Sequence, residues 1–245
     1  MKEAIIYLLA ITAAEVITVG VGLAWGITSH IVLLVALIVH ASLELGQRRQ
    51  PLLLSLSLVP LIRIISLSMP LARIPQVWWY PIIYMPLLAA AMAVARVLGY
   101  RLKELGLNFK RILIQLAVAL TGVVFGVAEY FILTAEARET FVVLRETWLL
   151  SAFLLMVSTG FVEEFIFRGV LQRSTMEFGW WGIVYTSLVF AVVHLIHYSL
   201  IDIAFVFGVA IFFGWVVKKT GSLFGVTLSH GVANIVLFLV APIFF

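Results

Sequence analysis

Nine apolar runs dominate this chain, at residues 4–25, 31–46, 52–72, 80–98, 112–134, 148–175, 180–198, 200–217 and 222–243. A helix of ~20 apolar residues crosses the hydrocarbon core of a bilayer, and lipid tolerates no spanning backbone whose hydrogen bonds are left open. Charged residues make up 11% of the 245, against about 25% in soluble domains, so no water-facing surface can be assembled. The expected fold is all-α, a polytopic transmembrane helical bundle of about eight spans, with seven to nine as the range. The run at 31–46 is short, and the stretch around Arg63, Pro70 and Pro75 could re-enter rather than cross. The separators (47–51, 100–111, 135–147 and 218–221) are brief, so residues 1–245 read as a single integral membrane domain. The N-terminal run is too long for a signal-peptide core and is expected to be a retained helix.

A net charge of +4 and a pI near 9.5 would fit a nucleic-acid binder if the cations shared a soluble face. They lie between apolar runs instead, which points to topology and away from nucleic acid. With every run crossing and the N-terminus inside, Lys2, Arg48, Arg49, Arg96, Arg101, Lys103, Lys110, Arg111, Arg168, Arg173, Lys218 and Lys219 fall on the inner side, against Arg73, Arg138 and Arg145 outside. That is the expected asymmetry of a multi-pass protein of the cell membrane, and it puts a site near the inner ends of the late helices within reach of the cytoplasm. Trp78, Trp79, Tyr80, Trp148, Trp180 and Trp181 mark run starts as an interfacial belt. The absence of cysteine removes disulfides, thiolate zinc sites and a cysteine nucleophile.

An ionisable group near the bilayer centre costs ~2.5 to 3.5 kcal/mol on insertion scales, so each one demands a partner or a use. Such groups concentrate in the last hundred residues: Glu163, Glu164 and Arg168 in one run, His194 in the next, His230 and Asn234 in the last. Glu164 and Arg168 stand at i, i+4, where the cation can neutralise the carboxylate within one helix. Glu163 turns away from them, with Gly160 and Thr159 one turn earlier on its own face, and is expected to be the free carboxylate with room beside it for water or a peptide. His230 and Asn234, also at i, i+4, project side by side. At 1.5 Å rise per residue, Glu163, His194, His230 and Asn234 lie roughly 18, 21, 12 and 18 Å from the inner ends of their runs, so all four can meet in one layer.

Several intramembrane chemistries are excluded by inspection. No His is followed by Glu in an HExxH pattern, Asp202 is the only aspartate, and no GxSG nucleophile occurs. What remains is a glutamate with one or two histidines and an amide. Glu163 to Arg168 reads EExxxR, Phe190 to His194 reads FxxxH and His230 to Asn234 reads HxxxN. Three such motifs in this order on successive spans resemble the CAAX protease and bacteriocin-processing family, which contains the type II CAAX prenyl endopeptidases. The resemblance covers the catalytic-motif half, residues 148–243.

The resemblance implies an intramembrane endopeptidase. Glu163, with His194, would activate water against the scissile carbonyl. His230 and Asn234 would form the oxyanion hole, Glu164 and Arg168 the supporting ion pair, and Phe190 the packing of the second motif. The substrate class it implies is a peptide or lipidated protein, cut near the C-terminus of a prenylated CAAX-type chain. Two versions of the chemistry stand open. The favoured one needs no cofactor; the other places zinc on Glu163, His194 and His230, although Asn234 is a poor zinc ligand and a good oxyanion donor. Rival readings from other classes are a proton-coupled transporter using the same acids and histidines as a relay, and a catalytically silent membrane scaffold of the same fold.

Other polar positions carry blander readings. His197, Glu44, Glu129 and Asp202 are expected at interfaces, and Gly208, Gly214, Gly225 and Gly231 at close helix contacts. The basic 100–111 segment and the Lys218-Lys219 pair read as plain inner-face loops. Glu15 sits deep in the first run with no partner that the sequence identifies.

Overall fold

In the computed structural model, residues 2–69, 74–133, 147–197 and 199–245 are described. Arg73, Arg138 and Arg145, three of the cations used for topology, lie outside them, as does the side chain of His197. The principal helices are α1 (Lys2–Gly20), α2 (Leu23–Leu43), α3 (Gln50–Ser68), α4 (Trp79–Val97), α5 (Ile112–Ile132), α6 (Trp148–Ser174), α7 (Trp180–Val192), α8 (Leu200–Thr220) and α9 (Phe224–Phe244). Eight of the nine are long and apolar enough to cross a membrane; α7, with 13 residues, is the exception. At 1.5 Å per residue α7 is about 20 Å long, short of the ~30 Å core.

The first break falls earlier than the gap between the runs at 4–25 and 31–46. Thr28 and Ser29 return their hydroxyls to the carbonyls of Ala24 and Trp25 one turn back, so they are satisfied inside the helix rather than ending it. The chain turns instead at Gly22, whose φ of 136° is available only to glycine. The second span is therefore 21 residues long, not a short run at 31–46. Likewise α3 continues through Pro60 and Arg63 to Ser68, which removes re-entry as an account of Arg63; Pro70 lies outside the described residues.

Two kinds of contact assemble the bundle. Small residues let backbones touch, since lipid supplies no hydrophobic drive between helices. A Cβ on Gly122 or Gly126 of α5 would stand 2.2 or 2.4 Å from the Ser229 or Ala233 carbonyl oxygen of α9, and one on Gly160 of α6 would stand 2.9 Å from Cα of Gly231. Gly214, Gly225 and Gly231 are close contacts as expected, whereas Gly208 has nothing within 4 Å and is not one. Gly160 was expected to leave room beside Glu163; that room is filled by α9.

The other contact is a shared core of large side chains, with Leu53, Leu56, Ile166, Phe167 and Val226 fully or almost fully buried. Leu113, Leu120 and Val124 of α5 point outward instead, as lipid-facing residues do. The 100–111 linker is more than a plain loop. Leu223 N–H donates to the Gly106 carbonyl at 2.9 Å, Ser222 Oγ to the Asn108 carbonyl at 2.5 Å, and Arg173 Nη2 to Glu104 at 2.8 Å. The Arg101 backbone N–H, the largest influence, holds the Glu104 carboxyl below the usual carboxylate range against the opposing effect of burial, and the Arg173 and Arg101 charges add to the lowering.

Candidate active site

Helix α6 is not a regular α-helix where its charges lie. Residues Met156–Glu163 and Phe165–Leu171 wind in wider i→i+5 turns, a form concentrated at functional sites. Its approach to α9 at Gly160 and Gly231 brings the two acidic positions against His230. Glu164 is fully buried and Arg168 nearly so. Arg168 Nη1 and His230 Nδ1 both donate to Oε1 of Glu164, each at 2.8 Å. The pair expected between Glu164 and Arg168 is present, and it holds His230 as well.

Phe190 touches more than its own motif. The Arg168 guanidinium lies 4.4 Å from its ring centroid, a cation–π contact strengthened by desolvation. The same ring packs on His194 at 4.8 Å and edge-on to His230 at 6.0 Å. One phenyl ring thus packs against the buried cation and both imidazoles.

Glu163 is not a free carboxylate. Its Oε1 accepts a hydrogen bond from Tyr84 of α4 at 2.5 Å, and its Oε2 stands 3.8 Å from Nε2 of His230. Tyr80, one turn before Tyr84 and stacked with it at 6.3 Å, also lines the cavity beside Glu163. Tyr80 is therefore a wall of the site as well as the start of a span. The sequence signal for both tyrosines was their i, i+4 spacing in an apolar run, because a phenol in lipid needs a partner.

His194 sits just past the end of α7. Its backbone N–H donates to the Ala191 carbonyl at 3.0 Å and its ring Nδ1 bonds the Phe190 carbonyl at 2.9 Å. A carbonyl only accepts, so Nδ1 carries a proton and donates this bond.

Glu163, His194, His230 and Asn234 all line one cavity of about 800 Å³, with Thr159 and Tyr84 beside them. Two further ionisable residues open onto it that the sequence did not connect to the site, Arg63 of α3 and Glu129 of α5. Glu129 is thus a cavity residue, and Asp202, expected at an interface, is fully buried. Among the described residues no three His, Asp or Glu side chains are grouped to hold a metal ion, so Glu163, His194 and His230 do not form a ready ligand set. A carboxylate, two imidazoles and an amide around one largely apolar cavity can do general acid–base chemistry on a bound carbonyl.

Residues 145–236 match the family model described as type II CAAX prenyl endopeptidase Rce1-like. That segment contains all three motifs, and the resemblance drawn from them is to the same family. No curated protein and no solved structure matches the chain.

Proposed function

We infer that this chain, an integral multi-pass membrane protein carrying an Rce1-like domain over residues 145–236, is a membrane-embedded endopeptidase working by glutamate and histidine activation of water. The observation that carries the reading is the convergence of Glu163, His194, His230 and Asn234 on one cavity walled by helices from both halves of the chain. The whole chain would then act as one unit, its first half closing the space that its second half equips. The substrate would be a peptide or prenylated protein entering from the cytoplasmic side of the cell membrane and cut near its C-terminus.

In the proposed reaction a water between Glu163 and His194 loses a proton to the carboxylate as its oxygen bonds to the scissile carbonyl carbon. The carbonyl oxygen becomes an oxyanion facing Asn234 and His230. As it collapses the C–N bond breaks, and the proton held by Glu163 passes to the departing amine. The surroundings suit these roles. Tyr84 fixes one oxygen of Glu163 and leaves the other toward His230. Glu164 holds Nδ1 of His230, so Nε2 is the nitrogen presented to the cavity. Two carboxylates and one guanidinium leave a single negative charge, and a proton on His230 would bring the group to neutrality while supplying an oxyanion donor.

The test is cleavage of prenylated and unmodified peptides by the purified wild type, Glu163→Ala and Glu164→Ala, each with and without chelator. The reading expects hydrolysis by wild type, loss in Glu163→Ala and indifference to chelator. Full activity in Glu163→Ala would remove the base. Chelator-sensitive activity restored by zinc would move the reaction to a metal-bound water.

A further inference from the structure

A second buried polar cluster lies in the first half, and the hydrolytic scheme makes no use of it. Glu15 of α1 and His30 of α2 are fully buried, and Arg63 of α3 is nearly so. They meet because α1 and α2 touch at Gly26, where a Cβ would stand 2.3 Å from Oγ1 of Thr18; Thr18 is one turn beyond Glu15, and Gly26 one turn before His30. Arg63 Nε donates to Oε1 of Glu15 at 2.6 Å, and Nε2 of His30 stands 3.6 Å from that oxygen. A pair serving only to neutralise charge would end there. Arg63 goes further: its Nη2 donates to the carbonyl of Val193, the residue before His194, and its side chain lines the same cavity.

We propose that Arg63, aimed by Glu15, is a positioning residue for His194. The inference rests on the reading of His194 as part of the hydrolytic site. The last carbonyls of a helix have no partner within it, and α7 ends against α1, with the Phe190 and Ala191 carbonyls served by His194 and the Val193 carbonyl by Arg63. A guanidinium at that end supplies the missing donor and complements the negative pole of the helix. His194 is tied to the last turn of α7 by its ring bond to Phe190 and its backbone bond to Ala191. Arg63 ties that turn to α1 and α3. The two links in series fix where the imidazole stands and which of its nitrogens carries the proton. Neither ring nitrogen of His30 makes a hydrogen bond among the described residues, so the ring packs beside Glu15 and is not assigned this role.

The experiment uses the full chain in detergent as wild type, Arg63→Met, Arg63→Lys, His194→Ala and the charge swap Glu15→Arg with Arg63→Glu. Melting temperature, kcat and KM are measured, together with ring ¹⁵N resonances in histidine-labelled protein, the His194 signal being the one lost in His194→Ala. A positioning role predicts kcat lower by about 100-fold in Arg63→Met, with KM changed by no more than about twofold, and a tautomer mixture in place of the Nδ1–H signal. Lysine cannot serve Glu15 and Val193 with one planar fork, so Arg63→Lys falls between. The swap restores melting but not kcat, because a carboxylate cannot donate to the Val193 carbonyl. Wild-type kcat and ring signals in Arg63→Met overturn the proposal, as does a swap that recovers both fold and kcat. Should Arg63→Met fail to fold, wild-type values in Arg63→Lys overturn it equally. If the wild type cleaves no peptide, the hydrolytic reading fails, while the ring signal of His194 still decides the role of Arg63.

Discussion

Tyr84 of α4 donates a 2.5 Å hydrogen bond to Oε1 of Glu163 on α6, joining the first half of the chain to the acidic motif of the second. The bond fixes one carboxylate oxygen, and the other stands 3.8 Å from His230. A hydrogen bond to a charged group contributes ~1.5–3 kcal/mol. Tyr84→Phe is accordingly expected to lower kcat/KM by about 10- to 100-fold. An unchanged rate would show that the phenol has no part in holding the base.

The two adjacent glutamates should separate cleanly. Glu163→Gln keeps an acceptor for Tyr84 but cannot take a proton, and is expected to lose about 10²- to 10⁴-fold in rate at unchanged stability. Glu164→Ala strands the buried Arg168 and removes the acceptor of His230, at a cost to folding of ~3–5 kcal/mol. Thermal unfolding in detergent checks this. Equal stability of the two variants would contradict the assignment of Glu164 as the structural partner.

Glycine contacts give a third comparison. Gly160→Ala would push a methyl to 2.9 Å from Cα of Gly231 and part α6 from α9, destabilising by ~1–3 kcal/mol. Gly208→Ala has open space and should be neutral or slightly stabilising. Activity in Gly160→Ala should fall with the parting of Glu163 from His230. Melting and cleavage rates measured on the pair report both effects.

The 100–111 linker should respond to pH. Glu104, with its carboxyl held below the usual range, contributes stability that is fully present above the unfolded value of ~4.3 and is lost as pH falls through the lower folded value. The melting-temperature difference between wild type and Glu104→Gln should therefore be present at neutral pH and vanish on acidification below that range. A difference that grows on acidification would mean that Glu104 is stabilised by burial of its neutral form instead.

Much of this architecture was legible because lipid allows so few backbones. Long apolar runs fix helices, and the i, i+4 spacing of Glu164 and Arg168 fixes a pair within one of them, since both follow from local geometry. Where local polarity and backbone conformation disagreed, the sequence misled. The gap at residues 26–30 separates two apolar runs in the sequence, yet the Thr28 and Ser29 hydroxyls are satisfied within α2 and the turn belongs to Gly22. Gly160 looked like room for substrate and proved to be the seat of another helix.

By itself the sequence determined a membrane-embedded helical chain whose late spans carry a glutamate, two histidines and an amide at helical spacings, because periodicity and lipid solvation act over a few residues at a time. Only the tertiary structure decided that Tyr84 holds Glu163, that Glu164 serves His230 as well as Arg168, and that Glu15 reaches the end of α7 through Arg63. Those partners lie 48 to 130 residues apart in the chain. A hydrogen bond between separate helices depends on their rotation and offset, which close packing of small and large side chains sets and no local pattern records.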